Sequence, residues 1–156
     1  LGFEREAELE RVLRVNSQSH IIKASDADIQ WLYGLQEGAD LDAIAAEWSK
    51  GKLVVVTKGP AGVSLYRDGN RTDVAGQKIN LVDTVGAGDT FMANFLGELS
   101  SLDALGDKPA SRLSRLSDDE LAAAANVANV AAAIVCERTG CQPPTRAETE
   151  ARMKRN

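Results

Sequence analysis

Leu53-Val54-Val55-Val56 runs between Lys52 and Thr57 with no polar interruption. A strand with one wet face alternates apolar and polar residues. An unbroken apolar run marks a strand covered on both faces, as inside a parallel sheet wrapped by helices. Strand and helix signals then alternate along the chain, which predicts an α/β fold with its functional loops at the carboxyl ends of the strands. At 156 residues the chain has length for one good core.

The other signals fit around that strand. Residues 3–14 read as a helix with Leu9, Val12 and Leu13 on one side, and Ile21-Ile22-Lys23-Ala24 as a short strand. Ser25 and Asp28 form a capping box for a helix through Ile29, Leu32 and Tyr33 that ends at Gly34. Leu41 to Trp48 reads as the next helix, stopped by Gly51. Val63-Ser64-Leu65-Tyr66 alternates like a half-exposed strand, Asp68-Gly69-Asn70 turns the chain, and residues 72–82 read as a further extended segment. A helix through Phe91, Met92, Phe95 and Leu96 follows, then a polar stretch over 100–117 that is a loop or holds a short helix. Ser117 and Glu120 cap an alanine-rich helix to about Val135, and a charged helix closes the chain after Pro143-Pro144.

Composition removes several function classes. A formal charge of -5 argues against nucleic acid or an anionic membrane as partner. No apolar run reaches the roughly 20 residues of a membrane span, and no signal peptide opens the sequence. Cys136 and Cys141, without histidines nearby, read as free thiols of a cytoplasmic protein rather than a disulfide or zinc site. The chain starts at Leu1 directly in charged helical sequence, which suggests a portion of something longer.

The chemistry concentrates in Asp83-Thr84-Val85-Gly86-Ala87-Gly88-Asp89-Thr90-Phe91. Small residues at a helix start expose backbone N–H groups to an anion, and a carboxylate in the same turn can take a proton from an attacking hydroxyl. Gly86, Ala87 and Gly88 are the candidate donors and Asp89 the candidate base; a tight turn with a helix-capping Asp is the plain alternative. No Lys-Ser or Lys-Thr follows the glycines, so this is not a P-loop, and the incomplete G-x-G-x-x-G weighs against a dinucleotide site. Thr57, Lys58, Gly59 and Gly62 follow the central strand, where a nucleotide cleft belongs, although a solvated turn accounts for them equally well. Asn129, in an apolar helix, needs a partner if buried and has groups suited to adenine, as Asn126 needs one too. Asp28 suits a water of hydrated Mg²⁺ or simply completes its capping box, and Asp83 caps its turn or faces a cation. His20 reads as structural, and Trp31, Trp48 and Phe91 as packing residues.

Leu81 to Phe91 resembles the second motif of the PfkB (ribokinase-like) carbohydrate kinases. Asn129 to Thr145 is similar to that family's C-terminal nucleotide-side region, Lys23-Ala24-Ser25-Asp26-Ala27-Asp28 to its K-x-N-x-x-E segment, and Val55 to Gly62 to its strand and glycine loop beneath ATP. The four patterns occur in the family's order. The resemblance implies a ribokinase-like three-layer α/β/α sandwich, C-terminal portion only, over residues 1–156. The N-terminal sugar-binding and lid part would be missing. It implies Asp89 as catalytic base and Gly86, Ala87 and Gly88 as anion hole. Thr57, Lys58, Gly59, Gly62 and Asn129 would lie by ATP, and Asp28, in the place of a Glu, by Mg²⁺-bound water. Asp83 with the backbone of Val85, Val135, Arg138 and Gly140 would hold K⁺. The motifs lean towards bacterial fructokinases and so imply phosphorylation of D-fructose, with 2-keto-3-deoxygluconate kinases and ribokinases sharing the chemistry. An incomplete or non-catalytic fragment is the rival reading. The expected partners are a small sugar and ATP, with homodimerisation of the full-length protein or pairing with the missing half.

Overall fold

The computed structural model describes residues 4–155. Residue 3, the first position of the expected N-terminal helix, lies outside the described residues. The chain divides into two compact units: one runs through Lys58 and includes Ser64–Thr72, the other comprises Gly59–Val63 and Asp73 onwards. Where the length suggested one core, buried side chains gather within each unit.

In the first unit, α1 (Arg5–Gln18) precedes β1 (Ile21–Ser25), α2 (Asp26–Tyr33), α3 (Asp42–Trp48) and β2 (Leu53–Thr57). β1 and β2 pair in parallel, with Ile22 opposite Val54 and Ala24 opposite Val56. The connection between parallel strands has to cross over, and here it contains α2 and α3. Ile29, Leu32, Ala45 and Trp48 from those helices join Ile22, Ala24, Val54, Val56 and Tyr66 in one core. Trp48 donates its indole N–H to the Tyr33 hydroxyl at 3.1 Å. Trp31, expected to pack, is instead 48% exposed. It stands one position before buried Leu32, on the outer side of α2.

The sheet continues β1-β2-β3-β4, with β3 at Val63–Arg67 and β4 at Asn70–Val74. β3 corrects the sequence reading. Val63, Ser64, Leu65 and Tyr66 are all buried, so both faces of β3 are covered. Apolar-polar alternation is misleading when a small serine can sit in a covered position. Asp68 and Gly69 both have positive φ, as a two-residue hairpin turn requires, and connect β3 to β4. The turn is fastened to the residues that follow α3: the Gly69 N–H donates to Ser49 Oγ at 2.9 Å and the Gly51 N–H to Asp68 Oδ1 at 2.8 Å.

Of the extended segment expected over 72–82, part is strand. Its strand is β4, which begins at Asn70 and ends at Val74, and residues 75–82 belong to no ladder. The second unit provides other partners. Asn129 Nδ2 donates to the Ala75 carbonyl at 3.2 Å, Gln77 Nε2 to Asn126 Oδ1 at 3.4 Å, and Arg152 to the Lys78 carbonyl at 3.2 Å. The N–H groups of Val82 and Asp83 donate to the Cys136 carbonyl at 2.9 and 3.1 Å. These bonds satisfy a helix-end carbonyl and run the segment along a helix in place of a sheet.

That helix, α6 (Asp118–Cys136), packs on α4 (Ala87–Ser101). Ala124, Ala125, Ala128, Ala131 and Ala133 are buried along α6, and Phe91 and Phe95 of α4 stack with centroids 5.8 Å apart. α6 is long and apolar enough to cross a membrane by length and composition, yet over half of that stretch is buried within the fold. Core packing therefore accounts for its apolarity. Between them lies short α5 (Pro109–Leu113), and α7 (Arg146–Met153) ends the order.

Candidate active site

Gly86 is the N-cap of α4, with φ 79° and ψ 1°. That left-handed conformation favours glycine. It lets the chain leave Asp83-Thr84-Val85 and enter the helix in one residue. The first amides of any helix lack intrahelical acceptors. Here the Ala87 N–H turns back to the Thr84 carbonyl at 3.2 Å and Thr90 N–H donates to Gly86 at 2.8 Å. The N–H groups of Gly86, Gly88 and Asp89 have no backbone acceptor among the described residues. Two of the three donors expected from sequence are thus open, the Ala87 donor is engaged, and the Asp89 amide joins the open set. Asp89 sits in the third helical position, exposed, with no donor to its carboxylate among the described residues. A free carboxylate and open N–H groups therefore share the first turn of α4, at its positive dipole end.

Asp83 lies just before the turn. Its Oδ1 accepts the Val85 N–H at 3.0 Å and its Oδ2 the Gly140 N–H at 3.0 Å. Backbone N–H groups of Val85, Gly140 and Thr84 hold this carboxyl below its ordinary range. Val135 is buried and its carbonyl accepts the Arg138 N–H at 3.1 Å, whereas Val85 is 58% exposed. The Arg138 guanidinium pairs with Glu148 and donates to the Gln142 carbonyl at 3.1 Å. Glu148 in turn completes a capping box with Thr145, a T-x-x-E signal that the sequence reading passed over. Asp83, Val85, Val135, Arg138 and Gly140 therefore meet where the end of α6 adjoins the glycine turn. No group of three His, Cys, Asp or Glu side chains suited to a metal occurs among the described residues.

Among the other predicted residues, Thr57, Asp28 and Asn129 each bond within their own unit. Gly62 (φ 93°) passes so near the chain that a Cβ would stand 2.2 Å from the Val74 carbonyl oxygen, while a Cβ on Gly59 (φ 50°) would meet nothing. Asn129 is half-buried and spends an amide hydrogen on Ala75. In the first unit, Thr57 donates to the Ala24 carbonyl at 3.4 Å, Lys58 is half-buried, and Asp28 and Ser25 form both arms of their capping box at 2.9 and 3.0 Å. His20 is exposed.

Sequence reasoning missed one neighbour of the site. Cys141 lies against Gly86, with its Sγ 2.2 Å from where a Cβ on that glycine would be. A contact between residues 55 positions apart leaves no local signal.

The sequence profile of the pfkB family carbohydrate kinases matches residues 4–148. The chain belongs to that family. Among similar proteins, a fructokinase of Rhizobium leguminosarum bv. trifolii is 43% identical over 102 residues, 63% of this chain and 30% of its own length. Probable fructokinase-5 of Arabidopsis thaliana is 32% identical over 153 residues, 96% of this chain and 44% of its own. The structure resembles a fructokinase of Vibrio cholerae O395 crystallised with fructose, ADP and calcium, with TM-score 0.73 and 27% identity over 92% of this chain and 44% of that one. An aminoimidazole riboside kinase of Salmonella enterica shares the fold with TM-score 0.76 at 19% identity, over 97% of this chain and 48% of that one. The fold of this pfkB-family chain is the ribokinase-like three-layer α/β/α sandwich. The chain spans less than half the length of these relatives.

Proposed function

We propose that this chain carries the base and the nucleotide side of an ATP-dependent sugar kinase, the C-terminal part of a PfkB domain, acting on D-fructose to give D-fructose 6-phosphate. The first turn of α4 carries the reading. There the exposed, unpartnered Asp89 carboxylate shares one turn with the open amides of Gly86, Gly88 and Asp89. Asp89 takes the proton of the sugar's 6-hydroxyl as that oxygen attacks the γ-phosphorus of ATP. The amides offer fixed donors to negative charge on the transferring group, where donors set in place before the reaction cost no reorganisation.

Magnesium, when bound, supplies charge neutralisation at the phosphates. Asp28 keeps one carboxylate oxygen outside its capping box, which fits a hydrated ion that retains its waters. Asp83, held ionised by backbone N–H groups, fits a monovalent cation together with the backbone of Val85, Val135, Arg138 and Gly140. For Asp28, Thr57, Lys58, Gly59, Gly62 and Asn129 the assignment rests on the family resemblance. Fructose as acceptor is supported by the fructokinase relatives and by the Vibrio cholerae structures, one of which holds fructose, ADP and potassium. An ATP-containing cytoplasm is the setting this reading requires.

A second reading, that the chain needs the family's other half for turnover, is favoured by two observations. It spans 30% and 44% of two fructokinase relatives, and Leu81, Val82 and Val85 beside Asp83 are each more than half exposed. The test is ADP release by the purified chain with Mg²⁺ and K⁺ against fructose, ribose and 2-keto-3-deoxygluconate. Repeating it after adding the N-terminal half of a related fructokinase separates the two readings. Fructose-dependent turnover that falls about 10²–10⁴-fold in Asp89→Asn is expected if general-base catalysis is the term removed. Turnover only with the added half selects the second reading. Turnover in neither condition refutes both.

A further inference from the structure

The stretch from Cys136 to Cys141 touches the segment before α4 at three successive points. The Cys136 carbonyl takes the N–H groups of Val82 and Asp83, the Gly140 N–H donates to Asp83 Oδ2, and the Cys141 side chain covers Gly86. Arg138 braces the same stretch by donating to the Gln142 carbonyl and pairing with Glu148 of α7. The first two contacts hold the approach to the turn. Only the third bears on the turn itself.

Gly86 has no side chain, and the space a side chain would occupy is filled from outside by a sulfur. A Cβ there would be 2.2 Å from Cys141 Sγ, 3.1 Å from its Cβ and 3.7 Å from its Cα. Cysteine has one side-chain torsion, and the adjacent Gly140 amide is bonded to Asp83. In the conformation the structure shows, the sulfur already fills the space beside Gly86, so a larger group at Cys141 must turn away or press on the turn. We propose that Cys141 is a positioning residue that holds Gly86 at the angle presenting the open amides of Gly88 and Asp89, so that enlarging its side chain displaces the anion-binding turn. The inference rests on the proposed kinase reading for its functional consequence, and on the geometry alone for its structural one.

Accessibility makes the test selective, since Cys141 is exposed and Cys136 buried. Methyl methanethiosulfonate transfers a thiomethyl group to a thiol. The reagent's S–S bond breaks, a new disulfide forms on Sγ, and methanesulfinate leaves with the thiol proton going to solvent. One adduct at Cys141, verified by mass, is compared with the untreated chain by MgADP titration and by the amide resonances of Gly86, Gly88 and Asp89. The expected result is at least a tenfold loss of MgADP affinity with movement of those resonances. Dithiothreitol should reverse both, and Cys141→Ser should be insensitive to the reagent. Unchanged resonances overturn the inference even if affinity falls, because the adduct then only obstructs. If the untreated chain binds no MgADP, the kinase reading fails by itself, and movement of the amides still decides whether Cys141 positions the turn.

Discussion

Three glycines around residues 59–76 allow backbone strain to be separated from close approach. Gly59 has φ 50° and open space where a Cβ would go, so Gly59→Ala meets strain alone. Gly76 has no left-handed φ, but its Cβ would stand 2.0 Å from the Pro60 carbonyl oxygen, so Gly76→Ala meets collision alone. Gly62 combines φ 93° with a Cβ 2.2 Å from the Val74 oxygen and 2.4 Å from the Gly76 nitrogen. Left-handed backbone costs an L-residue about 1–2 kcal/mol, and Ala recovers about 0.4–1 kcal/mol through the unfolded chain. Overpacking adds about 1–3 kcal/mol, and backbone atoms cannot rotate away as a side-chain tip can. The expected losses are thus about 1 kcal/mol for Gly59→Ala, about 1–2 for Gly76→Ala and about 2–4 for Gly62→Ala. Urea unfolding followed by circular dichroism suits the measurement, because both tryptophans, Trp31 and Trp48, lie in the other unit, and α4, α6 and α7 report on this one. With a urea slope of about 1–3 kcal/mol/M, Gly62→Ala should lower the midpoint by about 1 M or more. Gly59→Ala as damaging as Gly62→Ala, or Gly76→Ala without effect, would refute the argument from close approach.

Asp83→Asn should show a pH signature. The folded carboxyl is held below its ordinary value of 3.8, so its stabilisation is complete above that value and drains away as pH falls through the folded one. The variant should melt lower than the parent at pH 7, and the gap should close only below pH 3.8; a gap that does not change with pH would place the effect elsewhere. Phe95 is fully buried and stacked on Phe91, so Phe95→Ala should cost about 3–5 kcal/mol in denaturant titration. A loss below about 1 kcal/mol would mean that the site collapses to fill the cavity.

What the sequence revealed about the fold was mainly local chemistry. Ser25 with Asp28 and Ser117 with Glu120 each form both arms of a capping box, because the motif is satisfied within four residues. The Val54-Val55-Val56 run marked a covered strand for a similarly direct reason. β3 differs from its reading because burial of Ser64 depends on what covers that face of the sheet, which alternation within β3 does not encode. What residues 75–82 bond to was not legible locally, because Asn126, Asn129, Glu137 and Arg152 lie far along the chain. At the candidate site, Asp89 and the glycines stood out as one short motif. The turning of the Ala87 amide towards Thr84 and the cover that Cys141 gives Gly86 depend on backbone angles and distant sequence, so no motif could announce them.

The division of the chain between its two units has a consequence for anyone cutting it. The polypeptide passes from one unit to the other at Lys58, returns at Ser64 and leaves again after Thr72, and β3 itself is shared, Val63 falling on one side and Ser64 on the other. No single scission yields both units whole. A piece ending at Lys58 leaves Leu53–Thr57 paired with β1 but without β3 on its other side, and a piece beginning at Asp73 loses the Pro60 carbonyl against which Gly76 rests. Separate expression of either unit would therefore require rejoining noncontiguous segments with new linkers, and simple truncation series should produce insoluble or protease-sensitive products throughout residues 58–73.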